Sequence, residues 1–318
     1  MRTRRELLQG SAGALLAAGA SAPAAAEAAT TRLTMQGRQD PLYHGRALAA
    51  TSGGEVVVVA HGLRRSVSVI DRRRRRTTLL TLHGQPVEVA ISPLDHFAAV
   101  TTGFWDHEGV TLVRLRDASV RATLQPGAAP HTPAFTHDRE HLLVSGGEQD
   151  GYLRILRAPS FADGRKVALG RVPRGIAITH DDRSAWIALN GEDAVVRIDI
   201  ASGRRTARIG TAPHPDRVAL SPDGRRLLVS HGGRSATTVS EIDLHSHKVR
   251  EHAAGKHPTA VAWTARGHRL VALGGENAIA VLGGRRRRTV AAPHGLAVAG
   301  RHAFTVSAVD AKLGRVAA

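Results

Sequence analysis

The chain reads as an all-β protein, a seven-bladed β-propeller of four-stranded sheets whose ring is closed by its two ends in one blade, and three observations predict this. An element of the form Pro-x-x-apolar-Ala-apolar-Ser/Thr, followed by a turn and a second apolar run, recurs from Pro86, Pro130, Pro173, Pro215, Pro258 and Pro293. The steps are 44, 43, 42, 43 and 35 residues, and between them lie short β-rich runs broken by Gly, Asp and Pro, with no sustained helical periodicity. The apolar share is 42%, mainly Ala, Val and Leu, against 3% aromatic, which suits small side chains packed between sheets.

Taken in order, residues 1–26 read as an export leader and 27–318 as a single propeller domain. Gly45 stands 41 residues before Pro86 and opens a similar run, Ala47 to Thr51, which makes a first copy and brings the total to seven. A period of about 40–45 residues with four short strands each marks units that cannot bury both faces alone and must stack around an axis. The last copy, from Pro293, has room for only three strands before Ala318. The segment Thr30 to Met35 supplies a fourth, and pairing the two ends removes both open sheet edges.

The first residues, Thr3-Arg4-Arg5-Glu6-Leu7-Leu8-Gln9, precede a weakly apolar stretch and then Ala22-Pro23-Ala24-Ala25-Ala26. This arrangement resembles a twin-arginine signal peptide over about 26 residues, and the resemblance implies export of an already folded chain to the periplasm or the extracellular space. The apolar stretch is diluted by Ser11, Gly13, Gly19 and Ser21 and falls short of the ~20 residues needed to span a bilayer, so the mature form is read without a transmembrane span and as a monomer.

The formal charge is +17, and removing the leader takes away three arginines and one glutamate, leaving +15. Such a charge attracts polyanions, so an anionic envelope polymer or an acidic protein is an expected partner. The scarcity of aromatic side chains speaks against stacking on single-stranded bases and against sequence-specific nucleic-acid binding. With no cysteine, disulfides, thiolate catalysis, iron–sulfur clusters and Cys-type zinc sites are excluded.

The run Val218-Ala219-Leu220-Ser221-Pro222-Asp223-Gly224, then Leu228-Val229-Ser230 and Val239-Ser240-Glu241-Ile242-Asp243, resembles the YVTN-type propeller repeat, of the YncE-like and quinoprotein amine dehydrogenase-like superfamily. The fourth copy comes nearest at the strand end, with Ile187-Ala188-Leu189-Asn190 and Val196-Arg197-Ile198-Asp199, whereas His61 and His231 stand where that repeat usually has Asn. The resemblance spans nearly the whole mature chain and implies the fold, since one repeat serves many unrelated roles.

In a four-stranded blade, the loop leading into the inner strand and the loop joining the second and third strands share one face, here the top. The repeat puts His44, His131, His214, His257 and His294 on the lead-in loops nearest the axis. The second set of top loops adds His61, Asp106, His107, Glu148, Glu192, Asp193, His231 and Glu276. Neutral imidazoles with a carboxylate suit zinc or another divalent metal if three or four donors converge, and His131, His214, His257, His44, His294 and Asp216 are the expected ligands. A wet channel lined by polar residues, or a site for an organic ligand, remains the alternative.

The arginine runs Arg72, Arg73, Arg74, Arg75, Arg76 and Arg285, Arg286, Arg287, Arg288 fall in hairpins between third and fourth strands, with Arg204 and Arg205 in the equivalent hairpin of the fourth copy. Together with Arg225 and Arg226 they place basic charge on the bottom face, as a docking surface for a polyanion or as solvated hairpin tips. No nucleophile elbow, phosphate loop or dinucleotide fingerprint occurs. The expected function is therefore an exported binding module of the cell envelope with its ligand at the top of the channel. A lactonase-like metal-dependent hydrolase, with Glu148 or Glu192 as general base, and a basic scaffold are the alternatives.

Overall fold

A computed structural model describes residues 29–32, 45–62, 64–103, 107–309 and 312–318. The leader, His44 and Asp106 lie outside these residues. Strand β1 (Ala29–Arg32) is followed by blade 1, made of β2 (Gly45–Ala50), β3 (Val56–His61), β4 (Ser66–Asp71) and β5 (Arg76–Thr81). Blade 2 comprises β6 (Gln85–Ile91), β7 (Phe97–Gly103), β8 (Gly109–Arg114) and β9 (Ser119–Leu124). Blade 3 comprises β10 (Pro130–Phe135), β11 (His141–Gly146), β12 (Tyr152–Arg157) and β13 (Gly164–Ala168). Blade 4 comprises β14 (Pro173–Ile178), β15 (Ser184–Leu189), β16 (Ala194–Asp199) and β17 (Arg205–Gly210), with a short 3-10 turn, Asn190–Glu192, between its second and third strands. Blade 5 runs through β18 (Pro215–Leu220), β19 (Arg226–His231), β20 (Thr238–Asp243) and β21 (Val249–Ala253). Blade 6 runs through β22 (Pro258–Trp263), β23 (Arg269–Leu273), β24 (Ala278–Val281) and β25 (Arg286–Arg288). Blade 7 holds β26 (Pro293–Ala299), β27 (His302–Ser307) and β28 (Lys312–Ala317), and β1 completes it by antiparallel pairing of Ala29 with Arg315 through Arg32 with Lys312. The result is seven four-stranded antiparallel sheets in a ring.

Second strands carry continuous apolar runs because both of their faces are covered. In β3, Val58 and Ala60 pack toward blade 2, whereas Val57 and Val59 pack toward Phe304, Val306 and Leu313 of blade 7. In β15, Ile187 and Leu189 meet Leu143 and Ile155 of blade 3, and Trp186 meets Leu227 and Val229 of blade 5. A strand buried on both sides needs no polar alternation, and β-branched or small side chains fill the narrow wedge between twisted sheets. Outermost strands alternate instead, as Arg76–Thr81 does with its exposed and half-buried positions.

Every inner strand shifts register near its top end, between Gly45 and Ala47, Pro86 and Glu88, Pro130 and Pro133, Pro173 and Ile176, Pro215 and Val218, Pro258 and Ala260, and His294 and Ala297. Such a bulge re-aims the extra side chain, here in the segment that faces the axis.

Two expectations about the basic face are corrected. Arg72 to Arg75, Arg204 and Arg285 lie in third-to-fourth-strand hairpins, but Arg76 begins β5, Arg205 begins β17 and Arg286, Arg287 and Arg288 form the outer strand β25, where Arg286 pairs with Glu276 of the top loop. The bottom face is also not uniformly basic: Asp95, Asp117, Asp138, Glu140, Asp163, Asp181 and Asp182 occupy the bottom turns of blades 2 to 4. Arginine outnumbers the acidic residues in the bottom turns of blades 6, 7 and 1, because the repeat fixes the turn positions and leaves their charge free to vary.

Candidate functional site at the channel mouth

The residues that follow each lead-in proline are held by hydroxyl groups near the top end of the second strands. Thr101 Oγ1 accepts from Glu88 N at 3.1 Å and donates to the carbonyl of His131 in the next blade at 2.6 Å. Ser145 Oγ accepts from Thr132 N at 3.2 Å and donates to the carbonyl of Arg174 at 2.7 Å. Ser230 Oγ accepts from Arg217 N at 3.2 Å, and Asn190 Nδ2 donates to Pro215 O at 3.1 Å. One hydroxyl thus satisfies a bulge N–H and fixes the neighbouring inner strand, so the side chains at the axis are set by two blades at once.

These side chains surround a cavity of about 370 Å³ at the top of the channel. Arg46, Arg174 and Arg217 supply three guanidinium groups, Glu88 and Asp216 two carboxylates, and His131, His214 and His294 three imidazoles, with Thr132 and Asn190 between them. Arg217 makes a contact ion pair with Glu88, and its Nε lies 4.0 Å from Asp216. Burial pushes the Glu88 carboxyl up while Arg217 and Arg46 oppose the rise. Arg174 Nη1 donates to His131 Nδ1 at 3.1 Å, which places the proton of the neutral ring on Nε2. Burial, reinforced by Arg174 and Arg46, pushes His131 down to about 3, and burial with Arg217 pushes His294 down to about 4. Both rings are therefore neutral near pH 7, and among the described residues His131 Nε2 and His294 Nδ1 are buried without a hydrogen-bond partner.

The expected metal set is only partly gathered. His131, His214, His294 and Asp216 line the cavity, His257 does not, and His44 lies outside the described residues. Among the described residues, the group of three such donors whose ligand atoms come within 4.8 Å of one another is Asp138, Glu140 and His141, at a bottom turn, not a set at the channel mouth.

The second set of top-loop candidates is mostly engaged in holding the blades. His61 and His231 end second strands and point into the protein, His61 Nε2 lying 2.8 Å from Ser68 Oγ and His231 Nε2 2.6 Å from Ser240 Oγ. Both rings are thus packing features and not ligand-facing ones. Glu192 accepts from Arg171 N at 3.0 Å and Glu276 from Lys256 N at 2.8 Å, each securing the loop that leads into its own blade. The preceding top loop secures the next blade in the same way, through Asp193 to His214 N at 2.8 Å and Asn277 to Ala292 N at 2.7 Å. His107 is exposed, and Glu148 Oε1 lies 3.6 Å from His131 Nε2.

Arg46, Glu88, Arg174, Arg217, Asn190 and Thr132 were not among the expected site residues. All except Asn190 stand one or two positions after the lead-in Pro or Gly, in the bulged segment, so position within the repeat was the signal that could have found them.

No protein-family model matches the chain, and no curated protein sequence matches it. Solved structures do resemble it in shape. A hydrazine synthase chain from Kuenenia stuttgartiensis superimposes with a TM-score of 0.77 at 16% identity, covering 90% of this chain and 99% of that one. Virginiamycin B lyase from Staphylococcus aureus gives 0.75 at 15% identity, covering 92% and 100%, and a streptogramin B lyase gives 0.73 at 14%, covering 91% and 97%. At these identities the likeness establishes the seven-bladed β-propeller and nothing about chemistry.

Proposed function

We propose that the protein is an exported binding module of the cell envelope that holds a small organic anion at the mouth of its central channel. The observation that carries this reading is Arg174, whose guanidinium lines the cavity, bonds to a neutral imidazole and has no carboxylate partner among the described residues. Three guanidiniums face two carboxylates across the cavity, and the low-titrating rings of His131 and His294 add polarity without charge. A positive, partly desolvated concavity with fixed donors favours a carboxylate or phosphate over a cation. Export rests on the leader, and the basic sector of the bottom face is a second surface for an anionic partner.

Thermal-shift titration of the mature chain with carboxylates, phosphate, and zinc, copper or calcium ions tests the reading. The expected result is a concentration-dependent rise in Tm with a carboxylate or phosphate. Arg174→Gln is expected to weaken that binding roughly 10–100-fold, the ~1.5–3 kcal/mol of a charge-assisted hydrogen bond. Stabilisation by a metal ion alone, abolished by His131→Ala and His214→Ala, would replace the anion with a metal at the same residues.

A further inference from the structure

A second cavity, of about 350 Å³, adjoins the axial one between blades 2 and 3. Val87 and His131 line both cavities, so the two meet at these residues. The character of the second cavity is opposite to the first. Its charged residues are Glu108 and Glu148, set among Val87, Gly103, Ala129 and Pro130. Neither glutamate has a cationic partner among the described residues, and Glu148 lies 3.6 Å from the neutral His131 ring.

His131 ties the two cavities together. Its ring is almost wholly buried, at 3% exposure, with Nδ1 accepting from Arg174 at 3.1 Å on one side. On the other side, Nε2 lies 3.6 Å from Glu148 and has no hydrogen-bond partner. A guanidinium without a carboxylate and a carboxylate without a cation are thus held one imidazole apart, at the junction of a basic and an acidic cavity. Solvent compensates each charge separately, Glu148 being exposed, whereas a ligand carrying both complementary charges engages both at once.

We propose that the ligand is a zwitterion of the amino-carboxylate class, its carboxylate in the axial cavity against Arg174 and its ammonium in the side cavity against Glu148 and Glu108. The proposal rests on the anion-binding reading above and names its ligand class. The apolar wall of Val87, Ala129 and Pro130 suits the methylenes that separate the charges.

Calorimetric titration with unbranched amino carboxylates from glycine to ε-aminocaproate, beside the fatty-acid anions and alkylamines of matching length, tests this. The expected result is an optimum chain length at which the amino carboxylate binds at least ten-fold more tightly than the matching fatty-acid anion. Glu148→Gln with Glu108→Gln should erase that preference while leaving the fatty-acid affinity within about two-fold, and circular dichroism of the double variant verifies its fold. Equal affinity for amino carboxylates and fatty acids at every length would overturn the zwitterion and leave the anion reading standing. Absence of binding by both series and by inorganic phosphate, with the wild type folded, would overturn both.

Discussion

His131 and His61, like His294, are buried in their neutral forms, and their titration contributes to the pH dependence of the fold. Burial, with Arg174 and Arg46, lowers His131 to about 3, and burial with Arg64 lowers His61 to about 4. Above the unfolded value of ~6.5 the rings are neutral in both states and titration costs nothing. Below it the unfolded chain takes up protons that the folded chain refuses, so stability is lost as pH falls from 6.5 toward the folded values. At pH 5 the loss is about 2 kcal/mol for each ring. Urea midpoints should therefore fall between pH 7 and 5, and His131→Gln and His61→Gln should each flatten the slope; parallel slopes in variant and wild type would refute the assignment.

At the scale of the element, the second-strand hydroxyls and the bottom turns do the joining. Ser145 serves Thr132 N–H and the Arg174 carbonyl together, so Ser145→Ala orphans a bulge donor and loosens the inner strand of blade 4. A loss of about 1–3 kcal/mol is expected in chemical unfolding, with weaker carboxylate binding beside it. Asp182 of blade 4 clasps blade 3, accepting from His137 N at 2.8 Å and Asp138 N at 2.7 Å, with His137 Nδ1 at 2.7 Å. Asp182→Ala should cost a similar amount while leaving ligand affinity unchanged, a contrast that separates structural clasps from the site. The blades themselves were legible because turn chemistry and apolar runs repeat with the chain. The roles of His61, His231, Glu192 and Glu276 were not legible, since a polar residue on a top loop has the same sequence signature whether it faces a ligand or caps its neighbour's backbone.

For the whole molecule, closure of the ring is the feature that the sequence stated most clearly, through the short seventh copy and the surplus strand near the start. Packing confirms it, since Phe304, Val306 and Leu313 of blade 7 share one cluster with Leu48, Val57, Val59 and Ile70 of blade 1. A chain beginning at residue 33 would leave β28 as an open edge, and it should melt lower than one beginning at 27, by about 2–4 °C per kcal/mol lost, and associate at high concentration. Equal melting of the two chains would contradict closure by β1. The site was legible only as a location. Histidine content alone points toward a metal, whereas place in the repeat points to the bulge beside each lead-in Pro or Gly, which assembles Arg46, Glu88, Arg174 and Arg217 from four different blades. The most direct measurement is a crystal structure of the mature protein grown with its tightest-binding carboxylate. The account predicts that carboxylate on the channel axis, with an oxygen within hydrogen-bonding reach of Arg174; a metal peak between His131, His214 and His294, or a ligand found only on the outer surface, would contradict it.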